Sequence, residues 1–131
     1  NSKFSFGLAT HDEIDTLNIL KATNLSMKRA FNYFKKFPNK IKIDGIETFF
    51  LNNRTEFIVK GDKKSVTIAA ASILAKNYRD EIMKKYSIDF PEYKWEKNKG
   101  YGTKEHLLAL KNFGLSPIHR KSFAPVKNLA L

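Results

Sequence analysis

Apolar residues alternate with small or polar ones in Lys3-Phe4-Ser5-Phe6-Gly7-Leu8-Ala9, a period of two that predicts a strand with Phe4, Phe6 and Leu8 on one buried face. Thr10-His11-Asp12-Glu13 has the form of a capping box, in which the threonine hydroxyl takes the Glu13 N–H and the glutamate reaches back, so a helix is expected there. From Ile14 the apolar positions Leu17, Leu20, Met27, Phe31 and Phe34 keep a helical period, divided near Asn18 into a short and a longer helix. Pro38 and Asn39 break it. Lys40-Ile41-Lys42-Ile43 then alternates as a strand and ends at Asp44-Gly45. Residues 46–55 form a connection in which Phe49, Phe50 and Leu51 are expected to pack and Asn52-Asn53 to turn.

Phe57, Ile58 and Val59 give a short buried-strand signal, halted by Gly61. Ser65 or Thr67 can cap the helix that follows, where Ile68, Ala69, Ala71, Ser72, Ile73, Ala75 and Lys76 lead to Arg79, Ile82 and Met83. Its small residues allow close packing against a sheet. Residues 87–93 contain Pro91 and read as a loop, and in Gly100-Tyr101-Gly102 the glycines leave the tyrosine on a bare, mobile, basic backbone. Thr103 begins another helix through Leu107, Leu110 and Phe113, closed by Gly114. There is no internal repeat, low-complexity tract or domain linker.

Composition narrows the class. A chain of 131 residues with 42% hydrophobic content has room for one domain with a real core and not for two. It opens with Asn1 rather than methionine and enters the first strand signal almost at once, so a segment upstream is expected. Twenty-four basic against 13 acidic residues leave a net charge of +11, which favours polyanionic partners such as nucleic acid or an anionic membrane surface. With no cysteine, a disulfide framework and a thiolate metal site are excluded, which fits an intracellular protein. No apolar run approaches the ~20 residues of a membrane span and no apolar signal segment opens the chain, so a cytoplasmic location is expected.

Against this basic background two acids stand at strand ends, Asp44 and Asp62, the second among Lys60, Lys63 and Lys64. Open α/β sheets place ligands at such ends. Two-metal phosphodiester hydrolysis needs acidic oxygens, because hard Mg2+ or Mn2+ ions prefer oxygen ligands. If the two strands are neighbours, the acids converge on one edge of the sheet. Each alone has a plainer reading, Asp44-Gly45 as a turn and Asp62 as a cap. His11, His106 and His119 are too scattered for a zinc pattern and suit surface or hydrogen-bonding roles. Tyr101 is a candidate for stacking on a base or sugar, or a half-buried surface tyrosine. Lys76, Arg79, Arg120 and Lys121 are phosphate contacts or solvated charge, and Asp80 beside Arg79 reads as a helix-surface pair.

Six blocks in order carry a resemblance: Asp12-Glu13-Ile14-Asp15 with Leu17-Asn18-Ile19-Leu20-Lys21-Ala22-Thr23; Ile43-Asp44-Gly45; Val59-Lys60-Gly61-Asp62; Ile68-Ala69-Ala70-Ala71-Ser72-Ile73-Leu74-Ala75-Lys76 with Arg79-Asp80; Lys99-Gly100-Tyr101-Gly102-Thr103; and Ser116-Pro117-Ile118-His119-Arg120. Together they resemble bacterial ribonuclease HII over residues 4–126. The resemblance implies an α/β ribonuclease H-like fold, a mixed sheet flanked by helices, here lacking the first strands and forming a single N-terminally incomplete domain over residues 1–131. It implies an endoribonuclease of DNA replication and repair that cuts the RNA strand of RNA/DNA hybrids and 5′ of single ribonucleotides in duplex DNA. Four carboxylates around two Mn2+ or Mg2+ ions would do so, in a protein that is monomeric when complete and has no membrane partner. By motif Asp44 matches the third carboxylate and Asp62 the fourth, both catalytic and metal-binding. Tyr101 matches the tyrosine that packs on the deoxyribose after the ribonucleotide, while Lys60, Ser72, Lys76, His119 and Arg120 lie in motifs near the substrate. The family's adjacent Asp-Glu pair and Gly-Arg-Gly segment have no counterpart, because Asp12-Glu13 falls where the family has a helix start. The chain therefore resembles the C-terminal two-thirds of such an enzyme. A noncatalytic nucleic-acid-binding remnant is the alternative, and a basic ribosome-type protein would leave the ordered motifs unexplained.

Overall fold

A computed structural model describes residues 2–36 and 38–129; Asn1, Phe37, Ala130 and Leu131 lie outside the described residues. Helices α1 (His11–Leu17) and α2 (Ile19–Asn32) precede strands β1 (Ile41–Asp44) and β2 (Thr55–Ile58). After the strands come the single turn α3 (Gly61–Lys64) and the long α4 (Val66–Asp89). A 3-10 turn (Pro91–Tyr93), α5 (Trp95–Asn98), α6 (Lys104–Phe113) and α7 (Val126–Leu129) complete the order. The residues form two compact units, one of residues 1–10 and 19–75 and the other of residues 11–18 and 76–131. Among the described residues the fold is α/β and helix-rich, with a small two-stranded sheet.

In the first unit β1 and β2 pair in parallel, with Ile41 opposite Thr55 and Asp44 opposite Ile58. The break at Asn18 falls where the periodicity puts it, and its φ of 75° takes the chain out of α1 into the left-handed region, which asparagine tolerates. The stretch 3–9 differs from its expected strand. It has no ladder partner among the described residues and is bound to α2 instead: Ser5 Oγ donates to the Ala30 carbonyl at 2.6 Å and Arg29 to the Leu8 carbonyl at 2.7 Å. The period of two survives with its faces reversed. Ser5, Gly7 and Ala9 turn inward, because only small residues let the two backbones approach, while Phe4, Phe6 and Leu8 are 61%, 36% and 50% exposed. In the connection 46–55, Phe49 packs edge-on to Phe57 as expected, Phe50 is exposed, and Thr48 bonds Asn24 of α2 at 3.0 Å.

Helix α4 distributes its apolar residues around its circumference, interspersed with charged ones in its second half, rather than in one stripe. Ile68 is buried, yet Ile73 is 61% exposed and Leu74 is exposed too. The helix also runs through Ser87, where a loop was expected. Ser87 is buried there, with its hydroxyl donated to the Glu96 carboxylate, so the polar side chain is satisfied without leaving the helix.

The second unit has an aromatic core of Tyr93, Trp95, Ala109, Leu110 and Val126, with Met83, Phe90, Leu115 and Ile118 packed on it. Tyr93 stacks on Trp95 at 5.0 Å between ring centres, and its hydroxyl donates to the Gly114 carbonyl at 3.0 Å. Thr103 caps α6 by accepting the His106 N–H, and Gly114 ends it with a φ of 77°. Within this unit Asp15 of α1 accepts from the Lys121 and Ser122 amides at 2.8 and 2.9 Å and from the Ser122 hydroxyl. Partial burial works to raise its pKa, but these hydrogen bonds prevail and hold the carboxyl below the usual range.

Glycine spacing yields a paired test. A Cβ at Gly7 would lie 1.8 Å from the Ser26 carbonyl oxygen and 2.5 Å from the Ala30 nitrogen, whereas one at Gly102 would meet nothing within 4 Å. Gly7→Ala is expected to lower stability in urea unfolding by about 1–3 kcal/mol, and Gly102→Ala to stay within about 0.5 kcal/mol of the parent.

Candidate functional site

In a parallel pair both carboxyl ends reach one edge, which is where the first unit's acids stand. Asp44 is the last residue of β1, and Gly45, at a φ of 112°, turns the chain away while its N–H bonds the Ile58 carbonyl at 3.0 Å. Beyond β2, Lys60 takes a left-handed conformation (φ 55°, ψ 44°) and starts α3, whose first turn holds Asp62. Asp44 Oδ1 accepts the Gly61 N–H at 2.7 Å, so this carboxylate caps the turn that bears the second one. Gly61 leaves the space for this packing: a Cβ there would lie 2.6 Å from Ile68 Cδ1, which would have to shift, and 3.3 Å from Asp44 Oδ1. Asp44, Asp62 and Lys60 are all exposed. Ser72, on α4 in the same unit, donates back to the Ile68 carbonyl at 2.9 Å.

The other candidates belong to the second unit. Lys76 pairs with Asp80 one turn on at 2.6 Å, and its hydrogen bond is the main force lowering the Asp80 pKa. Asp80 thus takes Lys76 as its partner, where the sequence suggested Arg79; one helical turn brings i and i+4 together and leaves adjacent residues diverging. Arg79 instead lies over the Tyr101 ring at 5.2 Å.

The Tyr101 loop is not bare. Its N–H bonds the Asn98 carbonyl at 2.8 Å, its carbonyl accepts from Thr103 N–H at 2.8 Å and from His106 Nδ1 at 2.9 Å, and Gly100 N–H is held by Asn98 Oδ1 at 2.9 Å. The ring itself is 64% exposed. Arg120 is half-buried with its guanidinium 4.0 Å above the Phe123 ring; burial, then the like charge of Arg79, lowers its pKa, and Asp15 opposes them.

His119 is 6% exposed and meets Ser116 through Nδ1 and His106 through Nε2, so its ring presents no free polar atom to a substrate. The hydrogen-bonding role read for the histidines holds for His106 and His119. Sequence reasoning passed over His106 and Asn98 as parts of the Tyr101 setting. The signal for His106 was there: the third position after an N-cap lies under the loop entering the helix.

Asp44 and Asp62 offer the hard oxygen donors that Mg2+ or Mn2+ prefer. One Asp44 oxygen is already engaged by Gly61, and among the described residues no group of three His, Cys, Asp or Glu side chains could hold an ion. Among the described residues, Asp44 and Asp62 are thus a partial donor set for a two-metal centre. No helix among the described residues is long and apolar enough to cross a membrane.

A family profile described as Ribonuclease HII matches residues 1–126. The chain is 49% identical over 128 residues to a protein named Ribonuclease HII from Staphylococcus aureus (strain bovine RF122 / ET3-1), an alignment covering 96% of this chain and 49% of that protein. It is 48% identical to those of strains Newman and N315, with the same shares covered. The chain thus spans about half the length of the curated relatives it matches, a smaller share than the motif order suggested.

Burial first, then the charge of His106, pushes the His119 pKa from 6.5 down to about 4. The folded state thus binds fewer protons than the unfolded one between these values, and stability should fall as pH drops through that window. Urea midpoints measured from pH 7 to pH 4 are expected to decline more steeply for the parent than for His119→Gln, which cannot take up that proton.

Proposed function

The chain belongs to the ribonuclease HII family, and from that premise we propose that it serves endonucleolytic cleavage of the RNA strand in RNA/DNA hybrids and 5′ of single ribonucleotides in duplex DNA. The observation that carries this reading is the capped pair at one sheet edge: Asp44 at the end of β1, bonded to the backbone immediately before Asp62. Two exposed carboxylates beside Lys60, in a chain of net charge +11, suit the handling of a phosphodiester. In this reading Asp44 and Asp62 are two of the acidic ligands for Mn2+ or Mg2+, and further donors must complete the centre. Lys60 offers a cation to the phosphate backbone.

Tyr101 packs on the sugar next to the ribonucleotide, its ring exposed and flanked by Arg79. Lys76, Ser72 and Arg120 serve as supporting contacts, and His119 acts from behind the surface. The chain works as one ribonuclease H-like domain of a monomeric, cytoplasmic enzyme of DNA replication and repair. A second reading, nucleic-acid binding without cleavage, is favoured by the two-carboxylate donor set.

The test is incubation of the chain with labelled duplex DNA carrying one ribonucleotide, in Mn2+ and then Mg2+. Metal-dependent cutting 5′ of the ribonucleotide is expected under the first reading; binding without cutting belongs to the second. Asp44→Asn should reduce cutting by at least about a hundredfold with the melting temperature unchanged, because asparagine Oδ1 can still accept the Gly61 N–H. Tyr101→Ala should weaken preference for the ribonucleotide-bearing duplex by about tenfold.

A further inference from the structure

Three groups of fixed polarity surround the buried histidines of the second unit. The Ser116 N–H can only donate, and it meets His119 Nδ1 at 3.0 Å, with the Ser116 hydroxyl at 2.7 Å from the same nitrogen. Hence His119 Nδ1 is bare and the proton of the neutral ring sits on Nε2. That Nε2–H points at His106 Nε2, 3.2 Å away. The Trp95 indole N–H can only donate too, and it reaches the same His106 nitrogen at 3.3 Å. His106 Nε2 is therefore bare and Nδ1 carries the proton, directed at the Tyr101 carbonyl, which can only accept, at 2.9 Å. Ser116, Trp95 and Tyr101 are independent of one another, and all three demand the same pair of tautomers.

We propose that His106 and His119 are positioning residues for Tyr101, forming a one-way hydrogen-bond relay from Ser116 through both imidazoles to the Tyr101 carbonyl that fixes the backbone bearing the exposed ring. The role rests on the reading of Tyr101 as a substrate contact. It also deepens that reading, since it explains how two side chains 6% exposed act on a nucleic acid they do not touch.

The relay has a built-in condition. A proton added to His119 must go to Nδ1, where it would face the Ser116 N–H, donor against donor. The titratable groups facing His119 are His106 from α6 and the Tyr93 phenol from the 3-10 turn, whose ring centre is 4.8 Å away. Trp95 from α5 and Ser116 from the loop after α6 bring no charge. Burial keeps the ring neutral until about pH 4, so the relay is intact at neutral pH and opens in acid.

Imidazole 15N spectra of the full chain at pH 7 should show His106 protonated at Nδ1 and His119 at Nε2; the opposite tautomer at either ring overturns the relay. Amide-exchange protection of Tyr101 and Thr103 should fall about tenfold in His119→Phe, the loss expected of one buried hydrogen bond, while Leu110 on the core face of α6 keeps its protection. In His119→Gln, whose amide can accept at one end and donate at the other, loop protection should be retained. It should also persist through pH 4, where the parent loses it. Unchanged loop protection in His119→Phe, or the same acid release in His119→Gln as in the parent, overturns the proposal. Binding to duplexes with and without one ribonucleotide separates the layers. Loss of preference in Tyr101→Ala but not in His119→Phe overturns the positioning role alone; no loss in Tyr101→Ala overturns the substrate reading itself, and the positioning role with it.

Discussion

Parallel pairing of β1 and β2 is the constraint on which the first unit depends. An antiparallel partner would have sent Asp44 and the Lys60–Asp62 turn to opposite edges; the observed register sets Asp44 across from Ile58, with the turn following directly. One hydrogen bond then converts nearness into a fixed arrangement. Asp44 Oδ1 on the Gly61 N–H holds the exit of β2 against the end of β1, and Gly61 lets Ile68 of α4 close on the same spot. Lys60 adopts a backbone conformation that costs a non-glycine residue about 1 kcal/mol, and the Lys63 N–H bonding its carbonyl at 3.1 Å is part of what holds it there. The acids are therefore placed by backbone geometry, not by attraction to each other, which two like charges could not supply.

The same small sheet leaves apolar surface uncovered. Two strands at a spacing of about 4.8 Å make too narrow a layer to shield a helix whose apolar residues run all round, so Ile73 and Leu74 face outward. Phe4, Phe6 and Leu8 are left outward for the converse reason: α2 accepts the small residues of that segment, and the large ones stay 36–61% exposed, with Phe4 edge-on to Phe6. Patches of this kind mark surfaces suited to burial against further protein. Among the described residues each strand also keeps one edge without a ladder partner, the feature that invites further strand addition.

Local signals in the sequence were accurate wherever a single turn or cap decides the outcome. The division at Asn18, the strand ending at Asp44, the cap at Thr103 and the stop at Gly114 each rest on the chemistry of a few neighbouring residues, and each stands where it was read. Readings that depended on distant partners fared differently. The alternation of residues 3–9 was correct as a period, but which face is inward depends on what the segment meets, and α2 reversed it. Residues 87–89 stayed helical because Glu96 supplies a partner to Ser87, nine positions away. At the candidate site the two strand-end acids and Tyr101 were legible from motif and position. Of the support beneath Tyr101, His106 left a local signal in its place after the Thr103 cap, but its pairing with His119, 13 residues on, left none.

Why the second unit accepts so many polar groups in its core follows from how they are matched. Among the described residues no buried side-chain nitrogen or oxygen lacks a partner, which is the condition under which a buried polar network rigidifies rather than weakens a core. Asn98 donates to the Tyr93 carbonyl at 2.7 Å and receives Gly100, so it pins the loop from α5 while His106 pins it from α6. Lys99 and Gly100, at φ of 52° and 82°, then turn the chain outward in two steps. With both the N–H and the carbonyl of Tyr101 engaged inward, its ring is presented on a backbone that has little freedom to yield. The role proposed for Tyr101, packing on one sugar and not its neighbour, would draw on that stiffness more than on extra contacts, because an ordered partner loses less freedom on binding.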